Sequence, residues 1–540
     1  MNISLKQAAL AFCIFFPLGL LSQTAPFSIS IEPMNIDDLG GIQSFAFGQD
    51  NGKWLIVGGR LDGLHRRQPW ASFDLAGHNN QLIVIDPLAG QKWTATLTSL
   101  PTSIQEQLSA TDMEFYQEGD YLYCFGGYGY SATQGDHTTF GQLTAIKVPE
   151  VIDAVMNGTD FTAYFRQITD PKFQVTGGRV NKINDHYYLL GGQKFIGRYN
   201  PMGPDHGPGF IQEYTNSISI FSLTDDGSTI TIDHLTSYTD NENLHRRDFN
   251  AVAQIMPNGE EGITMFSGVF QPTVDLPFLN CVNVDADGYA VNDSFQQYYN
   301  HYHCAVLPLY DAVDNQMHTV FFGGIAQYYD DSGSLVRDDD VPFIKTIAQV
   351  TRAADGTMTE YKLPVEMPAL LGAGAEFIPN EELPKYNNQV VKLGELPGDK
   401  TLMGYIYGGI SSSAPNIFFI NDGTQSSASS QIFKVYLTRD NVLSLGDANE
   451  TEVDTLEMRI YPNPNIGALN IDYHLQKSGD VKLTIRDTRG ALIESSILYH
   501  QGIGQHTINQ DIHHLSTEKM YLITLETPYE RATQKLILKK

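Results

Sequence analysis

The tetrapeptide Leu-His-Arg-Arg occurs twice in this chain, at Leu64-His65-Arg66-Arg67 and at Leu244-His245-Arg246-Arg247. Arg179, Arg198-Tyr199 and the alternating His301-Tyr302-His303 add further guanidinium and imidazole groups. The chain holds only 34 lysines and arginines against 62 acids, so this grouping points to a place where an anion is held. Guanidinium forks match carboxylate or phosphate oxygens, and histidine carries protons near neutral pH. The competing expectation is structural: the same arginines would pair with Asp62, Asp74 and Asp248 and pin loops. His301 and His303, two residues apart, could share one metal ion, but no third ligand is identifiable, so no metal or cofactor is assigned. Asp330-Asp331 and Asp338-Asp339-Asp340 offer hard oxygen donors for Ca²⁺, or equally a solvated acidic loop, because the EF-hand spacing is absent.

Regular elements must hold these groups in place. Trp54-Leu55-Ile56-Val57 is an apolar strand ending in Gly58-Gly59, and Gln81-Leu82-Ile83-Val84-Ile85-Asp86 is a second apolar strand after a polar loop. The turn recurs as Gly126-Gly127, Gly191-Gly192, Ser267-Gly268, Gly323-Gly324 and Gly408-Gly409, each after an apolar or aromatic run. A partner strand follows each turn, at 81–86, 142–148, 217–223, 280–284, 343–350 and 431–437. Paired glycines are needed where the chain turns sharply against a close neighbour, since a Cβ there would clash or forbid positive φ. The pattern resembles the kelch repeat, which implies an all-β propeller with one four-stranded blade per repeat. Six repeats predict six blades over residues 27–440, with loops longer than the typical kelch unit. The clean alternation of Phe27-Ser-Ile-Ser-Ile-Glu32 predicts that this strand closes the ring as the outer strand of the sixth blade. A β-sandwich with accidental glycine pairs is the alternative.

In such a propeller, the loops from second to third strands share one end of the ring with the connections between blades. That end would carry the long stretches 60–80, 193–215, 325–341 and 410–430, and with them His65, Arg66, Arg67, Arg179, Arg198, Tyr199, His245, Arg246, Arg247, His301 and His303 as candidate ligand contacts. His301-Tyr302-His303-Cys304 is also similar in residue types to the copper-binding kelch oxidases, which implies copper as an alternative occupant. Gly203-Pro-Asp-His-Gly-Pro-Gly209 reads as turn chemistry.

The ends of the chain address its destination. Residues 1–22 read as a signal peptide: Lys6 is followed by a nearly continuous apolar run to Leu21. Three cysteines remain after it, so at most one disulfide can form. Residues 441–458 are polar and acidic, as in a linker. Beyond them, alternating strands separated by Gly and Pro turns predict a small Ig-like β-sandwich. Tyr461-Pro462-Asn463-Pro464, Gly467, Leu469, Asp487, Gly490 and the basic terminus resemble the type A C-terminal sorting domain of the Bacteroidota type IX secretion system, over residues 459–540. Lys519 stands where that family usually has glycine. The resemblance implies handling by the type IX machinery, then removal of the domain and release or surface attachment.

The formal charge of −28 argues against wholesale nucleic-acid binding, which needs an extended basic face to release counterions. The whole reads as a secreted or cell-surface propeller that binds a glycan or other anionic extracellular ligand at an Arg/His-lined mouth. Two alternatives remain open: a carbohydrate-active enzyme on the same frame, either a sugar epimerase or a copper radical oxidase, and a structural or adhesive surface protein. Neither ligand nor catalytic residues follow from the sequence.

Overall fold

The computed structural model describes residues 27–439, 456, 458–487, 492–515, 519–527 and 531–539. The expected signal peptide, most of the expected linker and Gly490 lie outside the described residues. The chain divides into two compact units, at Asp440 and Asn441.

The first unit is a six-bladed β-propeller. Each blade is built on a four-stranded antiparallel sheet; the third also carries the short strand Tyr238–Thr239 and the fifth the parallel strand Val391–Lys392. The first is formed by Ala46–Asp50, Lys53–Val57, Gln81–Asp86 and Gln91–Thr96, and the second by Glu114–Glu118, Tyr121–Phe125, Gln142–Lys147 and Phe165–Thr169. The third to fifth blades start with Arg179–Ile183, Asn250–Ile255 and Ala305–Asp311. In the sixth, Ala375–Pro379, Lys400–Gly408 and Ile432–Arg439 are joined by the N-terminal strand Phe27–Met34, which pairs with Ile432–Arg439 in register from Phe27↔Arg439 to Met34↔Ile432. Ring closure thus joins the two ends of the unit and removes a free sheet edge. Second and third strands are apolar on both faces because each blade packs against a neighbour on either side; Leu55, Val57 and Val84 on one face and Trp54, Ile56 and Ile85 on the other are all buried.

The double glycines set the spacing of the blades. All eleven glycines of the six turns, and Ser267, have positive φ. The second residue of each pair donates its N–H to a carbonyl of the following blade: Gly59 to Ala110, Gly127 to Val175, Gly192 to Arg246, Gly268 to His301, Gly324 to Leu371 and Gly409 to Ile42, at 2.7–3.2 Å. At Gly126 a Cβ would stand 2.1 Å from the Val175 carbonyl oxygen, so any side chain would force the blades apart.

One element departs from the strand pattern. Val148, expected to end a strand, instead opens the helix Val148–Asn157, with Pro in its first turn and Gly158 as left-handed C-cap. Its apolar side (Val151, Ile152, Val155) joins the core shared by the first two blades. The loops above the second and third blades form a further four-stranded sheet from Tyr128–Ser131, Asp136–Thr139, Gln193–Ile196 and Ile211–Tyr214.

The second unit is a β-sandwich. Its three-stranded sheet (Arg459–Tyr461, Ala468–Leu475, Gly504–Asp511) and four-stranded sheet (Gly479–Asp487, Leu492–Gln501, Lys519–Glu526, Arg531–Leu538) enclose a core of Leu469, Ile471, Tyr473, Leu483, Ile485, Ile523 and Leu536. No helix among the described residues is long and apolar enough to cross a membrane.

Candidate functional site at the mouth of the propeller

A residue just before each innermost strand, two places before it in the first five blades and one in the sixth, joins a closed ring around the axis. Ser44, Asp112, Gly177, Asp248, His303 and Gly374 occupy this position in the six blades. The N–H of each donates to the carbonyl of its predecessor: Asp112 to Ser44 (3.1 Å), Gly177 to Asp112 (3.3 Å), Asp248 to Gly177 (2.7 Å), His303 to Asp248 (2.8 Å), Gly374 to His303 (3.0 Å) and Ser44 to Gly374 (2.8 Å). Every member except His303 has positive φ. Six blades put members three apart on opposite sides of the axis, so Asp112 faces His303, Ser44 faces Asp248, and Gly177 faces Gly374.

Two residues further along, the same positions carry Ala46, Glu114, Arg179, Asn250, Ala305 and Glu376. Arg179 and Glu376 belong to opposite blades, beneath the two glycines, and meet at 3.6 Å. This pair closes the channel. His303 Nε2 lies 2.9 Å from Glu376 Oε1. Between the ring and the plug is a void of about 10 Å³, lined by Ser44, Asp112, Arg179, Asp248, His303 and Glu376, about the size of one water.

Above the ring opens a cavity of about 740 Å³, of saccharide size. Its walls come from the long loops: His65, Arg67 and Phe73 from the first blade, Tyr199, Phe210 and Tyr214 from the third, His245, Arg247 and Phe270 around the fourth, Tyr302 and His303 before the fifth, and Phe418 and Phe419 from the sixth. Tyr214 stacks on His245 with ring centroids 3.7 Å apart, and His65 packs on Phe73 and Tyr199. Arg247 donates from Nε to the Tyr214 hydroxyl (3.0 Å), pairs with Asp248 and lies over the Phe270 ring. The Phe270 N–H also donates to the Tyr214 hydroxyl, at 3.3 Å. With both lone pairs engaged, the Tyr214 O–H is left to donate into the cavity.

The titration states follow from burial and neighbours. Burial, aided by Arg247 and Arg60, lowers His65 to about 4, and burial lowers His245 and His303, so the cavity imidazoles are neutral at pH 7. Burial opposes the charge of Arg247, but Tyr214 and Asp248 beside it outweigh that and hold its pKa above the ordinary value. Burial and the neighbouring Asp248 push Asp112 up to about 7, against the Ser44 hydroxyl and Arg179. Burial also opposes ionisation of Glu376, but His303 and Arg179 outweigh it and hold this carboxyl below the usual range.

Of the residues singled out by sequence, His65, Arg67, Tyr199, His245, Arg247 and His303 lie on the cavity wall, and Arg179 lies in the plug. Four do not line the cavity. Arg246 is fully buried, donating to the carbonyls of Asn243, Ser267 and Asn280 and to Asn280 Oδ1, with Phe278 against its guanidinium at 4.0 Å. It locks the entry to the fourth blade. His301 is fully buried between the Gln297 carbonyl (2.8 Å) and the Gln327 N–H (3.0 Å). His301 and His303 therefore do not share a face: the strand begins only at Ala305, so strand alternation does not govern them. Arg198 donates to the Ser72 carbonyl at 2.6 Å, and Arg66 is exposed outside the cavity. The expected ion pairs exist in altered form, with Asp62 on Arg60 and Asp248 on Arg247.

The acidic loop also differs from a calcium site. Asp330 bonds Lys362, Asp338 accepts from Asn416, and Asp339 pairs with Arg337. Among the described residues, no group of three or more His, Cys, Asp or Glu side chains is placed to hold a metal. Sequence reasoning missed Ser44, Asp112, Gly177 and Gly374. A partial signal was present in the triplets before three of the six first strands: Gln43-Ser44-Phe45, Thr111-Asp112-Met113 and Arg247-Asp248-Phe249 share polar, small-polar and apolar positions.

Residues 459–539 match the family described as the secretion system C-terminal sorting domain. The protein thus combines a six-bladed propeller with a type IX sorting domain, which marks it for secretion or display at the cell surface. Compared with curated proteins, the sequence matches none. A solved structure titled "Structure of YjhT" is similar over 75% of this chain and 99% of its own, at 12% identity and a TM-score of 0.38, too distant to inform the site.

Proposed function

We infer that the propeller recognises an extracellular saccharide bearing a carboxylate, held in the cavity above the ring. The observation that carries this reading is the Arg247–Tyr214 pair: a charged guanidinium and an oriented O–H, side by side on a wall otherwise rich in aromatic rings. Two adjacent donors suit a carboxylate, while Phe73, Tyr199, Phe270 and Phe418 offer faces for sugar rings. His65, His245 and His303 are neutral and serve as hydrogen-bonding groups rather than as charges.

In this proposal residues 1–22 direct export to the periplasm, 27–440 form a kelch-type propeller, 441–458 link it to the tail, and 459–540 engage the type IX machinery of a Bacteroidota cell. Isothermal titration with a uronic-acid oligosaccharide and its neutral counterpart tests the site. The acidic sugar is expected to bind, and Tyr214→Phe to weaken it by about 1.5–3 kcal/mol, the worth of a hydrogen bond to a charged group. Equal affinity for the neutral sugar, or no effect of Tyr214→Phe, would refute the carboxylate assignment.

A further inference from the structure

We propose that the ring beneath the cavity is an acid–base catalytic site that cleaves uronate-containing polysaccharides by β-elimination, with His303 as base and Asp112 as acid. This rests on the carboxylate reading of the mouth. Both residues line the cavity and the void, and they stand on opposite sides of the axis, so they approach a bound sugar from two sides. His303 is built as a base. Its Nε2 lies 2.9 Å from the Glu376 carboxylate, itself held by Arg179, and this neighbouring negative charge stabilises the imidazolium that forms. Its neutral state at pH 7 leaves the lone pair free. Asp112 is built as an acid: burial and Asp248 keep a proton on it up to about pH 7.

The step balances without a co-reactant. With the uronate carboxylate on Arg247 and Tyr214, the carbon beside it becomes acidic. The His303 imidazole takes that C–H proton, and the electron pair forms a carbon–carbon double bond as the adjacent C–O bond to the next sugar breaks. The departing oxygen takes the Asp112 proton. One polymer becomes two, one of them ending in an unsaturated uronate. The imidazolium then returns a proton to the Asp112 carboxylate through solvent, restoring both groups.

The conjugated product absorbs in the ultraviolet, so the assay is continuous. The full-length chain is incubated with alginate, polygalacturonate and a glucuronate-containing glycosaminoglycan, and binding is followed in parallel by thermal shift. The expected result is rising absorbance with at least one polymer, reduced about a hundredfold or more in His303→Gln and in Asp112→Asn, with the thermal shift retained. A pH profile adds a readout that misfolding would not imitate. Asp112 is faced by Asp248, Arg179, Glu114, His303 and the Ser44 and Thr111 hydroxyls. Removing the charge that raises it most, in Asp248→Asn, therefore moves the alkaline limb, expected near pH 7, to lower pH. A thermal shift without absorbance overturns the elimination and leaves the binding reading standing. Neither signal with any polymer overturns both. Turnover that survives His303→Gln and Asp112→Asn overturns the residue assignment.

Discussion

Closing a propeller with a strand from the other end of the chain makes the whole ring depend on a few side chains, and Ile29 measures that dependence. Phe27 and Ile29 are buried in one core cluster with Val435, Leu437, Leu307 and Phe377, while Ser28 between them is exposed. Ile29→Ala deletes three buried carbons, about 2.4 kcal/mol at roughly 0.8 per methylene, plus a cavity cost that brings the expectation to about 3 kcal/mol. Unfolding entropy near 2.1 cal/mol/K per residue over roughly 400 residues gives about 0.8 kcal/mol/K, so Tm should fall by about 3–4 °C. Differential scanning calorimetry on Ile29→Ala and Ser28→Ala reads this directly, with Ser28→Ala expected within about 0.5 kcal/mol of the parent. A double variant with Phe27→Ala should lose more than cooperativity can absorb and split the transition. Equal transitions for Ile29→Ala and Ser28→Ala would show that the N-terminal strand is an appendage and not the closure.

Gly177→Ala places a Cβ 2.4 Å from Asp248 Oδ1 at φ +66°, so it should destabilise the propeller by about 1–3 kcal/mol and weaken acidic-sugar binding by displacing Asp248 from Arg247; denaturant unfolding and titration calorimetry read the two effects. Burial raises Glu114 to about 8 while its unfolded value is near 4.5, so the folded state holds a proton that the unfolded state releases, and stability falls as pH rises through that window. Glu114→Gln keeps the acceptor for the Gly178 N–H, and its Tm should decline less than the parent's between pH 5 and 8. In the sorting domain, Asn465 is fully buried and bridges the Pro462 and Ala468 carbonyls and the Gly467 N–H. Asn465→Ala should therefore cost about 2–4 kcal/mol, measured by chemical denaturation, and reduce the exported fraction.

The propeller was legible because its constraint is local. A double glycine must appear wherever a turn presses on the next blade's carbonyl, and the residue type itself records that contact, as at Gly126 against Val175. The closing strand was legible for the same reason, since Phe27-Ser28-Ile29 alternates on a half-buried surface. The long loops were rightly placed at one end, but the chemistry of their cations was not readable. Arg246 and Arg247 are adjacent and alike in sequence, yet one is sealed among carbonyls and the other stands on the cavity wall. Which of two neighbouring side chains faces a cavity depends on where a loop leaves its strand, and composition carries no trace of that. His301 and His303 misled through the same gap, because strand alternation was applied to residues that precede the strand.

The ring supplies what the loops alone could not. Six backbone N–H···O=C bonds join equivalent residues head to tail, so each blade fixes the position of its neighbour's side chain to within a hydrogen bond. A propeller needs only repetition there, and any small residue tolerating positive φ would serve. This chain departs from repetition in an ordered way. Glycines occupy two opposite positions, directly above the Arg179–Glu376 pair that spans the axis, and titratable groups occupy two others, Asp112 and His303. The ring sets a carboxyl whose pKa burial raises beside a second carboxylate, and an imidazole 2.9 Å from a partly buried glutamate. Both arrangements raise the cost of folding through desolvation, and both are what proton transfer requires. The asymmetry of the ring, more than the charge of the mouth, is therefore the feature on which the proposed acid–base chemistry rests.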